Sequence, residues 1–249
     1  MSRILLTAAS RVGCVRSNNE DMVLAYDKLV RSDAYETEFM TENTERFIIA
    51  VADGMGGHRA GEVASELVME NLKFYVNDLP RKMTPDELNE RMVEWLHSIN
   101  NTVNARGNAD PQLHEMGTTL VGVLYYEGRY FWLNCGDSRL YRLRDRKLTQ
   151  ITTDHSLNEI TGEKKHSNVI TNCIGANCKQ LFMDVVEMTG DVLPGDSYLL
   201  CSDGLNDMLP HWDIERMMCQ HVTANWLCEA AIQAGGFDNV STVVFRVEE

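Results

Sequence analysis

Four aspartates stand where apolar runs end or begin. Asp53 follows the run 47–52 and opens Asp53-Gly54-Met55-Gly56-Gly57-His58; Asp137 follows Cys135-Gly136; Asp203 follows Leu199-Leu200-Cys201-Ser202 and precedes Gly204; Asp238, with Asn239, opens the run 240–247. One Asp-Gly step is usually a turn. Four carboxylates at strand ends can meet at one end of a sheet, which is the geometry of a hard-metal site. Clustered aspartates without His or Cys partners select magnesium or manganese. A bridging carboxylate, here Asp53, holds two ions about 3.5–4 Å apart, turns a bridging water into hydroxide at neutral pH and neutralises phosphoryl oxygens during in-line attack. No side-chain nucleophile is then needed, and the chain has neither a Gly-x-Ser-x-Gly elbow nor a Cys-x5-Arg loop. Arg16 can grip a phosphate through two N–H groups. His58 can protonate a leaving alcohol, because its reference pKa lies near neutrality.

These side chains need rigid supports, and the sequence supplies them. Strands are expected over 3–9, 22–26 and 47–52, with the polar loop Arg16-Ser17-Asn18-Asn19-Glu20-Asp21 between the first two. Residues 31–46 are polar without clear period and read as a loop. Ala60, Val63, Ala64, Leu67 and Val68 fall at helical spacing. Thr84-Pro85-Asp86-Glu87 is a capping box with proline at the first helical position, followed by a stripe from Leu88 to Val103. Residues 119–126 and 129–135 read as a hairpin around Glu127-Gly128, continued by 138–144 and 148–151. Residues 153–180 are polar and irregular and read as a flap. Strands at 182–188 and 198–201, helices at 211–219 and 223–234, and a last strand complete the chain. Helices that are grouped rather than alternating with strands favour antiparallel sheets with flanking helices.

The 249 residues suit one large domain, and 44% apolar with 24% charged residues describes an ordinary globular protein. A net charge of −14 argues against a nucleic-acid partner. It also repels phosphorylated substrates unless metal ions or an arginine reverse the local field. The seven cysteines are odd in number, contain no Cys-x-x-Cys, and read as free thiols in a reducing cytosol. No apolar run approaches a membrane span and the N-terminus is too short in apolar residues for a signal peptide, so a cytoplasmic protein without membrane association is expected.

The motifs in order are Arg16-x-x-Asn19-Glu20-Asp21, Ala52-Asp53-Gly54-Met55-Gly56-Gly57-His58, Met116-Gly117-Thr118-Thr119, Gly136-Asp137-Ser138-Arg139, Thr153-Asp154-His155-Ser156, Ser202-Asp203-Gly204-Leu205 and Asp238-Asn239-Val240-Ser241. In this the chain resembles the bacterial metal-dependent protein Ser/Thr phosphatases, the protein phosphatase 2C-like (PPM) family, nearly end to end. The resemblance implies an α+β fold, a four-layer α-β-β-α sandwich of two antiparallel sheets flanked by helix pairs, with residues 1–249 forming a single catalytic domain. It implies two Mn2+ or Mg2+ ions, with Asp53 bridging, the Gly54 carbonyl on one ion, and Asp203 and Asp238 completing the first shell. Glu20 would act near the second ion through water, with Asp21 supporting its loop. Asp137, with Asp203, would match a third metal site. Arg16 would bind substrate phosphate, His58 would be the proton donor, and Asn239 would orient Asp238. The implied activity is hydrolysis of phosphoserine and phosphothreonine, opposing a cognate Ser/Thr kinase and acting on its substrates. A monomer is expected.

Two departures bear on substrate choice. Only residues 157–167 separate Ser156 from Asn168-Val169-Ile170-Thr171, a short flap, and Asn172-Cys173-Ile174-Gly175 stands where relatives often carry Arg-Ala-Leu-Gly. Two other readings compete: a catalytically silent phosphoprotein binder, which loss of Asp53, Asp203 or Asp238 would favour, and a different two-metal hydrolase such as a nuclease, which a basic stripe would favour. The chain shows neither feature.

Overall fold

A computed structural model describes residues 2–56, 59–162 and 169–249. The first half runs β1 (Arg3–Arg11), β2 (Met22–Ala25), β3 (Lys28–Val30), β4 (Ala34–Met40), β5 (Arg46–Ala52), β6 (Gly54–Met55), α1 (Ala60–Asp78) and α2 (Pro85–Ala109). Then come β7 (Gly117–Thr118), β8 (Leu120–Tyr126), β9 (Arg129–Cys135), β10 (Arg139–Arg144), β11 (Lys147–Gln150), α3 (Leu157–Thr161) and β12 (Ile174–Gly175). The last third holds β13 (Asp184–Glu187), β14 (Ser197–Cys201), α4 (Asp203–Asn206), α5 (His211–Met218), α6 (Ala224–Gln233) and β15 (Val240–Glu248).

Two six-stranded antiparallel sheets, in the orders β11-β10-β14-β15-β1-β4 and β13-β9-β8-β5-β2-β3, pack face to face. Their shared core contains Ile4, Leu6, Ile49, Val123, Leu200 and Phe245. Alternate residues of β5 explain why all but its first are buried. Phe47, Ile49 and Val51 enter the inter-sheet core, whereas Ile48, Ala50 and Ala52 face α1 and α2 with Ala64, Val68 and Leu96. The small Ala50 and Ala52 let α1 lie close. On the opposite outer face, α4, α5 and α6 bury Leu205, Ile214 and Leu227 against Tyr141, Leu199 and Val244. Each fully buried aliphatic chain contributes about 1.5–3 kcal/mol. The result is the expected α-β-β-α layering. The Thr84 capping box forms as expected, with the Glu87 amide donating to Thr84 Oγ1 at 3.2 Å and Glu87 returning the bond to the Thr84 amide at 2.7 Å. Among the described residues no helix is long and apolar enough to cross a membrane.

The polar stretch 31–46 is not a loop. β4 pairs antiparallel with β1 along its whole length. Tyr35 and Phe39 pack on the inter-sheet core while Glu36 and Glu38 face solvent, the alternation of a half-buried edge strand. Acidic residues on its outer face mask that period in the sequence. Within the expected flap, α3 is a short helix capped by Ser156, and Ile170 returns to bridge Ser156.

Register brings the critical ends together. Arg11 lies opposite Val240 and Cys201 opposite Thr242, so the end of β1, the end of β14 and the start of β15 coincide. In the other sheet Val51 faces Val121 and Leu120 faces Cys135, which gathers the ends of β5 and β9.

Candidate metal centre

Asp53 emerges from β5 with its backbone held on both sides. Its amide donates to Thr119 Oγ1 at 3.0 Å, and its carbonyl accepts from the Thr119 amide and the Thr118 hydroxyl, each at 2.9 Å. Thr119 Oγ1 also lies 2.7 Å from Ser138 Oγ, which ties the Asp53 turn to the Asp137 turn. Next, β6 pairs with β7, and β7 with β12, in a small three-stranded ribbon. Gly54 sits where β6 crosses the first turn of α1. A Cβ there would fall 2.3 Å from the Gly61 carbonyl oxygen and 2.4 Å from that of Glu20, so only glycine fits.

The other carboxylates have equally specific supports. Asp203 opens α4 directly after β14, and Gly204 lets β15 start close by, since a Cβ there would meet the Asn239 carbonyl oxygen at 2.0 Å. Asp238 accepts from the Asn239 amide at 2.8 Å and pairs with Arg16 at 2.6 Å. The Asn239 side chain turns to the preceding loop rather than to Asp238. Its Oδ1 accepts from the Glu20 amide at 2.8 Å, and its Nδ2 donates to the Val12 and Asn18 carbonyls at 2.9 Å each, pinning the loop that carries Arg16 and Glu20. Asp21 lies fully buried under this loop and accepts from Ser202 Oγ at 2.8 Å.

Arg16, Glu20, Asp53, Gly54, Asp203 and Asp238 line one cleft of about 590 Å³. Asp137 stands beside it, and its charge acts on Asp53. Of the sequence-derived candidates only His58 lies outside the described residues. Sequence reasoning assigned no role to Thr119, Ser138 or Ser202, although all three sit in the quoted motifs. It also passed over Arg31, whose guanidinium donates to the Asp21 and Glu62 carbonyls at 3.0 and 2.7 Å and to Ser65 Oγ at 3.0 Å. Arg31 lies in the stretch read as a loop, and no motif marks it.

The electrostatics state what the site lacks. Burial, then the fields of Asp21, Asp203, Asp137 and Asp238, hold the Asp53 carboxyl far above the ordinary carboxylate range. Burial first, then Asp207 and Asp238, lifts Asp203 to about 6. Burial with Asp203 and Asp154 lifts Asp137 to about 7, and burial lifts Asp21 to about 7 against the bonds from Ser241 and Ser202. Glu20 is also raised by desolvation. The Asp53 and Asp203 carboxyls line the same cleft, and each is pushed up by burial and by neighbouring carboxylates. The Asp137 Oδ1 atom is buried with no hydrogen-bond partner among the described residues. Crowded, under-neutralised oxygens of this kind fit hard divalent cations, which would neutralise the carboxylates and satisfy the orphaned oxygen. Among the described residues no three potential ligands already converge as a finished coordination sphere. Arg16 holds Asp238.

Fold and cleft together define an α-β-β-α sandwich with an oxygen-ligand centre at one end. A family model described as protein phosphatase 2C matches residues 25–234, and the chain belongs to that family. It is similar to the serine/threonine protein phosphatase PstP of Mycobacterium tuberculosis, 36% identical over 264 residues, covering 99% of this chain and 46% of PstP. The chain thus spans about half the length of the curated relative. A solved PstP catalytic domain in complex with two manganese ions superposes with a TM-score of 0.75 at 32% identity, over 99% of this chain and 100% of that one. PppA, described as a key regulatory component of T6SS in Pseudomonas aeruginosa, superposes with a TM-score of 0.76 at 29% identity, over 98% and 97%.

Proposed function

We propose that this chain is a metal-dependent phosphatase of phosphoserine and phosphothreonine in proteins, with residues 1–249 acting as one catalytic domain and 153–180 as its flap. The observation that carries this reading is the crowding of desolvated carboxylates with Arg16 in one cleft, in a member of the protein phosphatase 2C family. Asp53, Asp203, Asp238 and the Gly54 carbonyl would hold two manganese or magnesium ions, with Glu20 nearby. Asp137 with Asp203 would hold a third. Bound there, the ions supply Lewis acidity toward the phosphoryl oxygens and an activated water.

The chain's own residues do the rest. Arg16 leaves Asp238 and grips two oxygens of the phosphate, its guanidinium exposed enough to reach substrate. Asp238 would then be free to hold a cation in place of the arginine. Thr118 and Thr119 fix the Asp53 backbone, so its carboxylate would need little reorganisation to hold the ions. Asn239 keeps the Arg16–Glu20 loop in register with Asp238. His58 is the proposed proton donor to the leaving alcohol.

The two-manganese PstP structure and the family match support metal dependence and phosphoprotein substrates. A cognate Ser/Thr kinase as partner, a cytoplasmic signalling setting and a monomeric state complete the proposal. The likeness to PppA, a regulatory component of a secretion system, supports secretion-apparatus control as one such setting. The test is phosphate release from a phosphothreonine peptide and from a phosphodiester, each with manganese and with chelator. Peptide hydrolysis that requires manganese, without diester cleavage, supports the reading. Metal-independent hydrolysis or preferred diester cleavage contradicts it.

A further inference from the structure

Several large apolar side chains are exposed, among them Phe74 on α1, Trp212 on α5 and Trp226 on α6, and scattered exposure of this kind needs no explanation. Val15 and Phe237 differ. They are 63% and 65% exposed and flank the two residues that form the Arg16–Asp238 pair. The segment 14–16 runs along 236–238, tied at one end by the Cys14 amide donating to the Gly236 carbonyl at 2.7 Å and at the other by Arg16 and Asp238 at 2.6 Å. Val15 and Phe237 lie at the neighbouring backbone positions between those ties. Glycines make the approach possible. Gly13 has φ +78°, and a Cβ there would lie 2.2 Å from the Asp238 carbonyl oxygen. Gly236 has φ +54°, and a Cβ there would lie 3.1 Å from Cys14 Sγ. Beyond them, the Met208 sulfur and the Phe237 ring both border Gly235, 3.4 and 3.5 Å from the position of its Cβ. Val15, Phe237 and the partly buried Met208 form an apolar ledge, and Val15 also lines the carboxylate cleft.

We propose that this ledge is a specificity subsite that receives one apolar side chain, of the Leu, Ile, Met or Phe class, next to the phosphorylated residue of a protein substrate. The inference rests on the phosphatase reading and deepens it. Arg16 follows Val15 and Asp238 follows Phe237, and both line the cleft, so a substrate phosphate gripped there lies beside the ledge. The cleft is lined mostly by charged and polar residues, with Met55 and Ile170 its other apolar side chains, and Val15 carries the ledge into it. Binding energy from groups beside the reacting centre holds it in place, so the ledge affects peptide turnover and leaves a small phosphate ester untouched.

The test uses the full chain with manganese on two phosphothreonine peptides that differ only in Leu or Ser beside the phosphothreonine, and on p-nitrophenyl phosphate. Wild type is expected to show kcat/KM about tenfold higher for the Leu peptide, the scale of burying one such side chain. Phe237→Ser should lose that preference, Phe237→Leu should keep it, and p-nitrophenyl phosphate hydrolysis should be equal in all three. An indifferent wild type, a Phe237→Ser enzyme that keeps the preference, or a parallel fall on p-nitrophenyl phosphate overturns the subsite and leaves the phosphatase reading standing. A wild type inactive on all three substrates with manganese removes the phosphatase reading itself, and the subsite with it.

Discussion

Asn239→Ala is the most informative single change, because Asn239 makes its bonds to backbone rather than to any proposed metal. Its side chain makes three hydrogen bonds, to the Glu20 amide and to the Val12 and Asn18 carbonyls, and is only 4% exposed. At about 1 kcal/mol each, with an added cost for a desolvated Glu20 amide left unpaired, the loss is about 3–4 kcal/mol. Part of that loss is global stability, read as a shift in urea midpoint at constant slope. The rest is local. The Arg16–Glu20 loop is no longer held against Asp238, and displacement of a substrate-positioning group by about 1 Å costs about a hundredfold in rate. Urea titration of the metal-free protein and kcat/KM on a phosphothreonine peptide measure the two parts. A variant within about 0.5 kcal/mol of wild type and within about twofold in kcat/KM would refute the pinning role.

Other expectations follow from the same geometry. The carboxyls of Asp21 and Asp137, raised to about 7, bind protons in the folded metal-free protein that the unfolded chain releases near pH 4. Their contribution to stability is therefore greatest below about pH 4 and lost as pH rises through about 7, so metal-free protein should have a higher urea midpoint at pH 5.5 than at pH 8. Asp137→Asn should flatten that slope, and a midpoint that climbs toward pH 8 without metal would count against it. Manganese binding at pH 6.5 should expel protons, seen as a calorimetric enthalpy that varies with buffer ionisation heat. Gly54→Ala should cost about 3 kcal/mol by overpacking and abolish manganese binding, since its Cβ would strike the carbonyls of Gly61 and Glu20; unchanged binding would contradict the crossing geometry. Arg16→Ala should raise KM and weaken inhibition by inorganic phosphate about tenfold or more, the scale of lost charge-assisted hydrogen bonds. Unchanged phosphate inhibition would remove Arg16 from the site.

Much of this arrangement is legible in the residues because the signals are local. Apolar runs ending in aspartate mark the ends of β5, β9 and β14 and the start of β15, and the Thr84 box marks the start of α2. Antiparallel pairing then brings the four ends together, which spacing alone suggests but register establishes. What escaped is tertiary. β4 hides its period behind acidic outward residues and becomes a strand only because β1 offers it an edge. Arg31 acts on the Asp21 loop through contacts 31 to 34 residues away along the chain, to Glu62 and Ser65, which no local pattern encodes. Asn239 reads in the motif as a companion of Asp238, whereas its side chain spends its bonds on the loop from Val12 to Glu20.

The proposed metal centre depends on Asp203. The most direct measurement takes wild type and Asp203→Asn, each shown folded, and determines bound manganese by calorimetry together with phosphate release from a phosphothreonine peptide. The account predicts manganese-dependent turnover in wild type, with metal affinity and kcat/KM both falling by orders of magnitude in the variant. Wild-type metal binding and turnover in Asp203→Asn would contradict it.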